Sequence, residues 1–94
     1  VVMSAFVGID VSKASLDVAV LGEAKVRQFD NTAAGLKKLA TSLRSLSPTL
    51  IVLEATGGYE VDALDALHAA GLPTARVNPR QARDFAKATG QLAK

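Results

Sequence analysis

Two short apolar runs, each closed by an acidic residue, constrain the fold of this chain most strongly. The first covers residues 5–10 (AFVGID) and ends in Asp10, and the second covers residues 50–53 (LIVL) and is closed by Glu54. A strand that is apolar on both faces is typical of the centre of a covered sheet. We therefore expect both runs to be central, adjacent strands, each with a carboxylate at its end.

Two further strand-like runs follow the first one closely. Residues 16–21 alternate, with Leu16, Val18 and Val20 on one face and Asp17 on the other. Gly22 and Glu23 form a turn signal, and residues 25–29 then form a third run with the charges of an exposed edge strand. Because only short turns separate these three runs, we expect an antiparallel meander.

The hydrophobic period changes after residue 31. Thr32 is a candidate N-cap, and leucines then recur at helical spacing until Ser47-Pro48 ends the helix. A second helix follows Glu54, with Val61, Leu64 and Leu67 expected inward and Gly71 expected at its C′ position. Residues 75–77 form a short strand, and Asn78-Pro79 predicts the start of a last helix that runs to about residue 88.

The predicted order of elements is therefore β-β-β-α-β-α-β-α. Strands that are separated by crossover helices must be parallel, and such crossovers are right-handed. We predict an α/β fold with a mixed five-stranded sheet, strand order 3-2-1-4-5, and helices on its faces. With 94 residues, the chain is long enough for one small domain, residues 1–94. Residues 1–3 are left out of the interpretation because two valines stand before the first methionine.

The composition excludes several classes of protein. Cysteine is absent, which excludes disulfides and thiolate metal sites and fits a cytoplasmic location. No apolar run approaches the roughly 20 residues of a membrane span, so we expect no membrane partner. The formal net charge of +2 is only weak evidence for nucleic-acid binding.

The two acids that close the apolar strands are the candidate catalytic residues. Ligand sites of such sheets lie outside the carboxyl ends of the strands, so Asp10 and Glu54 are expected to face one crevice. Carboxylates placed together resist ionising together, and a hard divalent cation such as Mg²⁺ or Mn²⁺ relieves that repulsion. From spacing alone a second interpretation stays open, in which each acid merely caps a neighbouring turn or helix.

Three motifs together carry a resemblance to a known family. GIDVSKASLDVAVL is followed by VLEATGGYE after one helix, and then by VNPRQARDFAKATGQLAK. In this order and spacing, from about residue 7 to residue 94, they resemble the N-terminal domain of the DEDD transposases of bacterial insertion sequences, the IS one-ten family. That domain is similar to the RuvC resolvase and has a ribonuclease H-like fold.

The resemblance implies roles for the two acids and names further partners. Asp10 and Glu54 would be the first two acids of a four-acid set that holds Mg²⁺ or Mn²⁺ for DNA strand cleavage and transfer. DNA and a structured guide RNA are the implied partners; a homo-oligomer is a further candidate that the resemblance does not supply. The other two acids and a serine nucleophile would lie downstream, so we interpret the chain as the N-terminal fragment of a longer transposase. The fragment alone is then expected to be inactive, with no tightly bound metal.

Several other residues are candidates for contacts with nucleic acid. Ser12 and Lys13 stand in the turn after Asp10, where an ordinary hairpin turn is the alternative. Gly57, within the sequence Thr56-Gly57-Gly58-Tyr59, precedes a helix N-terminus that could bind an anion. Arg80, Arg83 and Lys87 share one stripe of the last predicted helix, which fits either a phosphate backbone or a solvated face. His68, Asp62 and Asp65 are expected to be structural or solvated.

Two rival functions remain open at this stage. An actin-like ATPase or a sugar kinase begins with a similar strand and Gly-Ile-Asp, but Val11-Ser12-Lys13 stands where those proteins usually place Gly and Thr. The other rival is a noncatalytic domain for nucleic-acid docking or dimerisation.

Overall fold

The computed structural model describes residues 5–23, 25–54 and 57–78. The elements, in chain order, are β1 (Phe6–Val11), β2 (Ser15–Val20), β3 (Val26–Asp30), α1 (Ala33–Leu46), β4 (Leu50–Glu54), α2 (Val61–Ala69) and β5 (Thr74–Val77). The sequence predicts each of these elements, and the strand ends differ from the prediction by one residue at most. The predicted last helix lies outside the described residues.

The five strands form one mixed sheet in the order β3-β2-β1-β4-β5, which confirms the predicted topology. β2 is antiparallel to both β1 and β3, and β4 is parallel to both β1 and β5. β1 and β4 are therefore adjacent, as their apolar sequences predict. The carboxyl ends of β1, β3, β4 and β5 all lie at one edge of the sheet.

One face of the sheet, called the helix face below, packs against α1 and α2 and holds the core. β1 contributes Val7, Ile9 and Val11 to this face because side chains alternate along a strand. The other core residues are Leu16, Val18, Val20, Leu36, Leu39, Leu43, Ile51, Leu53, Ala63 and Leu67. Both described helices cover this same face.

The start of α1 lies unusually close to the end of β3. Thr32 is the N-cap, as predicted, and its Oγ1 accepts a hydrogen bond from the N–H of Gly35 at 3.1 Å. Gly35 packs so tightly that a Cβ atom there would overlap the backbone carbonyl of Asp30. The helix ends at Ser47, which is in the left-handed region with φ 48°, directly before the buried Pro48.

The inward side of α2 differs from the prediction at one residue. Val61 is 42% exposed, whereas Ala63 and Leu67 are fully buried and Leu64 is partly buried. Successive steps of three residues drift around a helix, so residues 61 and 67 do not share a face. The buried stripe instead follows positions 60, 63, 64 and 67. At the other end Gly71, with φ 76°, is the predicted C′ residue, and its N–H donates to the carbonyl of His68.

The opposite face of the sheet, called the second face, is apolar at one end and acidic at the other. It carries Phe6, Gly8 and Asp10 from β1, and Leu50, Val52 and Glu54 from β4. Within the described part of the chain, no helix is long and apolar enough to cross a membrane.

Candidate active site at the acidic end of the second face

The register between β1 and β4 places the two predicted acids on one face of the sheet. Gly8 is opposite Val52 and Ile9 is opposite Leu53, so Asp10 and Glu54 occupy equivalent positions at the ends of neighbouring parallel strands. Since Ile9 and Leu53 point to the helix face, both acids point to the second face. Asp10 is exposed and Glu54 is half-buried. The arrangement therefore leaves Asp10 accessible to solvent near the carboxyl end of β1.

A third carboxylate lies on the other side of Asp10. Asp17 of β2 is directly opposite Asp10 in the antiparallel ladder. Its Oδ1 accepts a hydrogen bond of 3.0 Å from Nε2 of Gln28, the residue opposite it on β3. Like charges directly opposite each other on two strands repel. Within residues 5–23, 25–54 and 57–78, neither Asp10 nor Asp17 takes part in an ion pair.

Asp17, Asp10 and Glu54 form a row of carboxylates across β2, β1 and β4. These carboxylates are suitable ligands for a hard divalent cation, but the row by itself is incomplete as a metal centre. Carboxylate oxygens are the ligands that Mg²⁺ and Mn²⁺ prefer, and Asp10 offers them to solvent. Among the described residues, however, no group of three acidic, histidine or cysteine side chains is placed to hold one ion. The donor set therefore fits a divalent metal that also takes ligands from elsewhere.

The turn after Asp10 is closed by its own serine. The Ser12 N–H donates to the carbonyl of Ser15 at 2.9 Å, and Ser12 Oγ accepts from the Ser15 N–H at 3.1 Å. The Ser12 hydroxyl and N–H therefore serve the hairpin turn, which was the alternative to a phosphate contact. Lys13, at the tip of the same turn, is exposed.

The turn after Glu54 contains two consecutive residues in the left-handed region. Gly57 has φ 60° and Gly58 has φ 95°, a backbone conformation that non-glycine residues rarely adopt. Both are exposed. Thr56 lies outside the described residues.

Glu60 holds this second turn against the sheet. Its side chain is 4% exposed, and Oε1 accepts a hydrogen bond of 3.0 Å from the N–H of Gly58. Oε2 forms an ion pair with Nη1 of Arg76 on β5 at 3.2 Å. A buried carboxylate therefore takes up the Gly58 N–H and places a negative charge at the start of α2. The Gly58 N–H is thus already used by a side chain of the protein itself, whereas the anion site that the sequence suggested at Gly57 stays a prediction.

Sequence reasoning did not single out Glu60, nor did it single out Asn31. The Asn31 side-chain nitrogen donates to the carbonyl of Ser12 at 3.0 Å and to the carbonyl of Tyr59 at 3.2 Å. These bonds join the turn after Asp10 to the turn after Glu54. The only signal in the sequence was an asparagine directly before a capping threonine, and that pattern does not reveal a contact across 28 residues.

The remaining predicted residues are placed as follows. Asp62 and Asp65 are exposed, as expected for solvated side chains, and His68 of α2 contacts the Thr74 hydroxyl of β5. The predicted cationic stripe of Arg80, Arg83 and Lys87 lies outside the described residues.

Comparisons with known proteins agree with this fold. The family model DEDD_Tnp_IS110, described as a transposase, matches residues 7–94. A search of curated proteins gives no match. Among solved structures, RuvC of Thermus thermophilus is similar with a TM-score of 0.56 and 16% identity, over 80% of this chain and 62% of the RuvC chain. The chain thus spans less than two thirds of that structure, and the likeness concerns the fold.

A family match over nearly the whole chain bears on one of the alternatives that the sequence left open. It favours a transposase over an actin-like ATPase or a sugar kinase, in agreement with a first turn whose Ser12 N–H is already used within the hairpin. The mixed sheet in the order 3-2-1-4-5 and the likeness to RuvC identify the fold as ribonuclease H-like. The chain therefore belongs to the DEDD transposases of the IS one-ten family and has their RuvC-like fold.

Proposed function

We propose that this chain supplies the first half of the active site of a DNA transposase, with Asp10 and Glu54 as ligands of Mg²⁺ or Mn²⁺. The observation that carries the proposal is their shared position at the ends of two adjacent parallel strands, on the same face of the sheet. The resemblance to the family implies that both residues are the first two acids of its four-acid set. The family's remaining acids would complete the ligand set.

The reaction we propose is cleavage and transfer of a DNA strand. A bound divalent ion stabilises the charge that develops on a phosphodiester and activates the attacking oxygen. Asp10 and Glu54 would fix the position of that ion at the edge of the sheet. Asp17 adds negative charge beside Asp10 and so favours a cation there.

Contacts with nucleic acid are proposed for the basic and small residues around this edge. Lys13 is exposed in the turn after Asp10 and could neutralise a backbone phosphate. Gly57 would let a backbone approach closely, since a side chain is absent there and the position is exposed. Arg80, Arg83 and Lys87 remain candidates from the sequence alone, and so do a guide RNA and a homo-oligomer as partners. Ser12 is the weaker candidate, because its hydroxyl and N–H already bond Ser15 within the turn.

Paramagnetic Mn²⁺ tests the metal site directly. Titrated into the ¹⁵N-labelled chain, it should first broaden the amide signals around Asp10 and Glu54. Asp10→Asn and Glu54→Gln should each abolish this local broadening, because either change removes one of two carboxylate ligands. Asp62→Asn is the matched control, since it removes an exposed carboxylate from the start of α2 and should change nothing. Equal broadening near residue 10 in the chain and in Asp10→Asn would refute the proposal.

A further inference from the structure

The geometry points to Asn31 as a positioning residue that fixes, relative to each other, the two turns that follow the acid-bearing strands β1 and β4. This inference rests on the proposed function of Asp10 and Glu54. Asn31 directly follows β3, whose carboxyl end lies at the same edge of the sheet as the ends of β1 and β4. It is half-buried at that edge, between the Ser12 turn and the Gly57–Glu60 turn.

Three hydrogen bonds hold Asn31 in this position. Its backbone N–H donates to the carbonyl of Ala14 at 2.9 Å and anchors it to the first turn. Its side-chain nitrogen donates to the carbonyls of Ser12 and Tyr59, at 3.0 Å and 3.2 Å. Ser12 is two residues after Asp10, and Tyr59 is five residues after Glu54. A single amide group therefore connects the chain segments that leave both candidate ligands.

The chemistry of the bridge suits asparagine among the polar residues. A carboxamide nitrogen carries two N–H donors and can serve two carbonyl oxygens at once. A hydroxyl can donate only one hydrogen bond, and a carboxylate can donate none. The short side chain of asparagine is also well suited to a turn directly before a helix cap.

The bridge has a consequence for the metal site. The ladder between β1 and β4 ends at Ile9 and Leu53, while Asp10 is still paired with β2 and Glu54 with β5. Beyond these pairs, Asn31 links the turn after β1 to the turn after β4. Residues that hydrogen-bond metal ligands directly typically change metal affinity by about 10- to 100-fold when they are replaced. Asn31 bonds the turns after the ligands rather than the ligands themselves, so the lower end of that range is expected.

Hydrogen exchange and Mn²⁺ affinity, measured on the same variants, test this inference. In Asn31→Ala the amides of Ser12, Gly58 and Val61 should exchange about tenfold faster, because two hydrogen bonds that brace their turns are lost. The affinity for Mn²⁺ should fall by about tenfold or more. Asn31→Ser should lie between Asn31→Ala and the unchanged chain, since one hydroxyl can serve only one carbonyl.

Thr32→Ala is the matched control at the next residue. It removes the cap of α1, so exchange should accelerate at Gly35, whose N–H bonds Thr32 Oγ1, and not at the two turns. Its Mn²⁺ affinity should stay unchanged. In all variants, unchanged exchange at core amides such as those of Val18 and Leu53 would show that the fold is retained.

The possible failures can be told apart. Turn amides that exchange no faster in Asn31→Ala would overturn the inference whatever the metal does. Faster exchange with an unchanged Mn²⁺ affinity would also overturn it, since the bridge would then not act on the site. If the unchanged chain binds Mn²⁺ no better than Asp10→Asn does, the proposed function fails, and the positioning role fails with it.

Discussion

Asp10 of β1 and Asp17 of β2 are directly opposite each other on the second face of the sheet. A folded chain that places two carboxylates side by side loses stability through their repulsion, by about 0.2–1 kcal/mol for a cross-strand pair. Asp10 is exposed and Asp17 is half-buried. A metal ion bound as proposed would relieve this repulsion. Removing one of the two charges should therefore change the free energy of unfolding of the metal-free chain.

Replacing Asp17 by asparagine should stabilise the metal-free chain. The carboxamide would keep an oxygen that accepts the hydrogen bond from Gln28 and would remove one of the two opposed charges. We expect the free energy of unfolding to rise by about 0.2–1 kcal/mol in urea titrations at low salt, and the gain to shrink at high salt. Asp65→Asn, at an exposed helix position, is the control and should have little effect. A loss of stability in Asp17→Asn would show that the repulsion is not significant.

Gly35 provides a test of the contact between α1 and β3. Glycine-to-alanine changes inside a helix usually stabilise it by about 1 kcal/mol. At residue 35 the new Cβ would overlap the Asp30 carbonyl, so we expect the opposite sign, a loss of about 1–3 kcal/mol in the free energy of unfolding. Gly8→Ala is the matched control, because no atom of residues 5–23, 25–54 and 57–78 lies within 4 Å of a Cβ at that position. It should be neutral or slightly stabilising.

The ion pair between Glu60 and Arg76 should contribute more to stability than the one between Glu23 and Arg27. Arg76 is 53% exposed, but Glu60 is buried and also accepts the Gly58 N–H, whereas Glu23 and Arg27 are 39% and 36% exposed with an N–O distance of 3.4 Å. A double-mutant cycle of Glu60→Gln and Arg76→Met should give a coupling energy of about 1–3 kcal/mol. The same cycle on Glu23→Gln and Arg27→Met should give about 0.2–1 kcal/mol. Equal coupling energies for the two pairs would contradict the view that the buried Glu60–Arg76 pair stabilises the turn after β4.

The sheet could be predicted from the sequence because its signals are local. Two wholly apolar runs indicate the central strands, alternation indicates β2, and short turns require an antiparallel meander. Because the two apolar runs indicate adjacent central strands, the sequence also places Asp10 and Glu54 at the ends of neighbouring strands. Their presence on one face then follows from the register, which the structure supplies.

Tertiary contacts account for what the sequence did not reveal. Val61 is expected inward because it is apolar, yet the stripe that packs on the core begins with Glu60, whose charge is paired with Arg76 sixteen residues later. Asn31 carries its two side-chain bonds to residues 19 and 28 positions away. Neither contact leaves a periodic pattern in the sequence. The hydrogen bonds of Asn31 and the ion pair of Glu60 can therefore be identified only from the folded structure.

The last prediction concerns the activity of the 94-residue chain by itself. Asp10 and Glu54 match two of the four acids that the family resemblance implies. Within the described ranges no third side chain joins them in a group that could hold a metal ion. Mg²⁺ retains several waters and binds weakly to so few protein ligands. A pair of metal ions about 4 Å apart requires ligands on both ions. We therefore expect this chain to bind Mn²⁺ weakly and to cleave no DNA.

Strand cleavage should be assayed on branched and linear DNA while Mg²⁺ or Mn²⁺ is titrated into the chain. No product above the level of Asp10→Asn is expected at any metal concentration. In a longer transposase that contains this chain, Asp10→Asn should lower cleavage by roughly 10²–10⁴-fold, the equivalent of several kcal/mol of lost charge stabilisation. Metal-dependent cleavage by the 94-residue chain that disappears in Asp10→Asn would show instead that these residues already form a complete site.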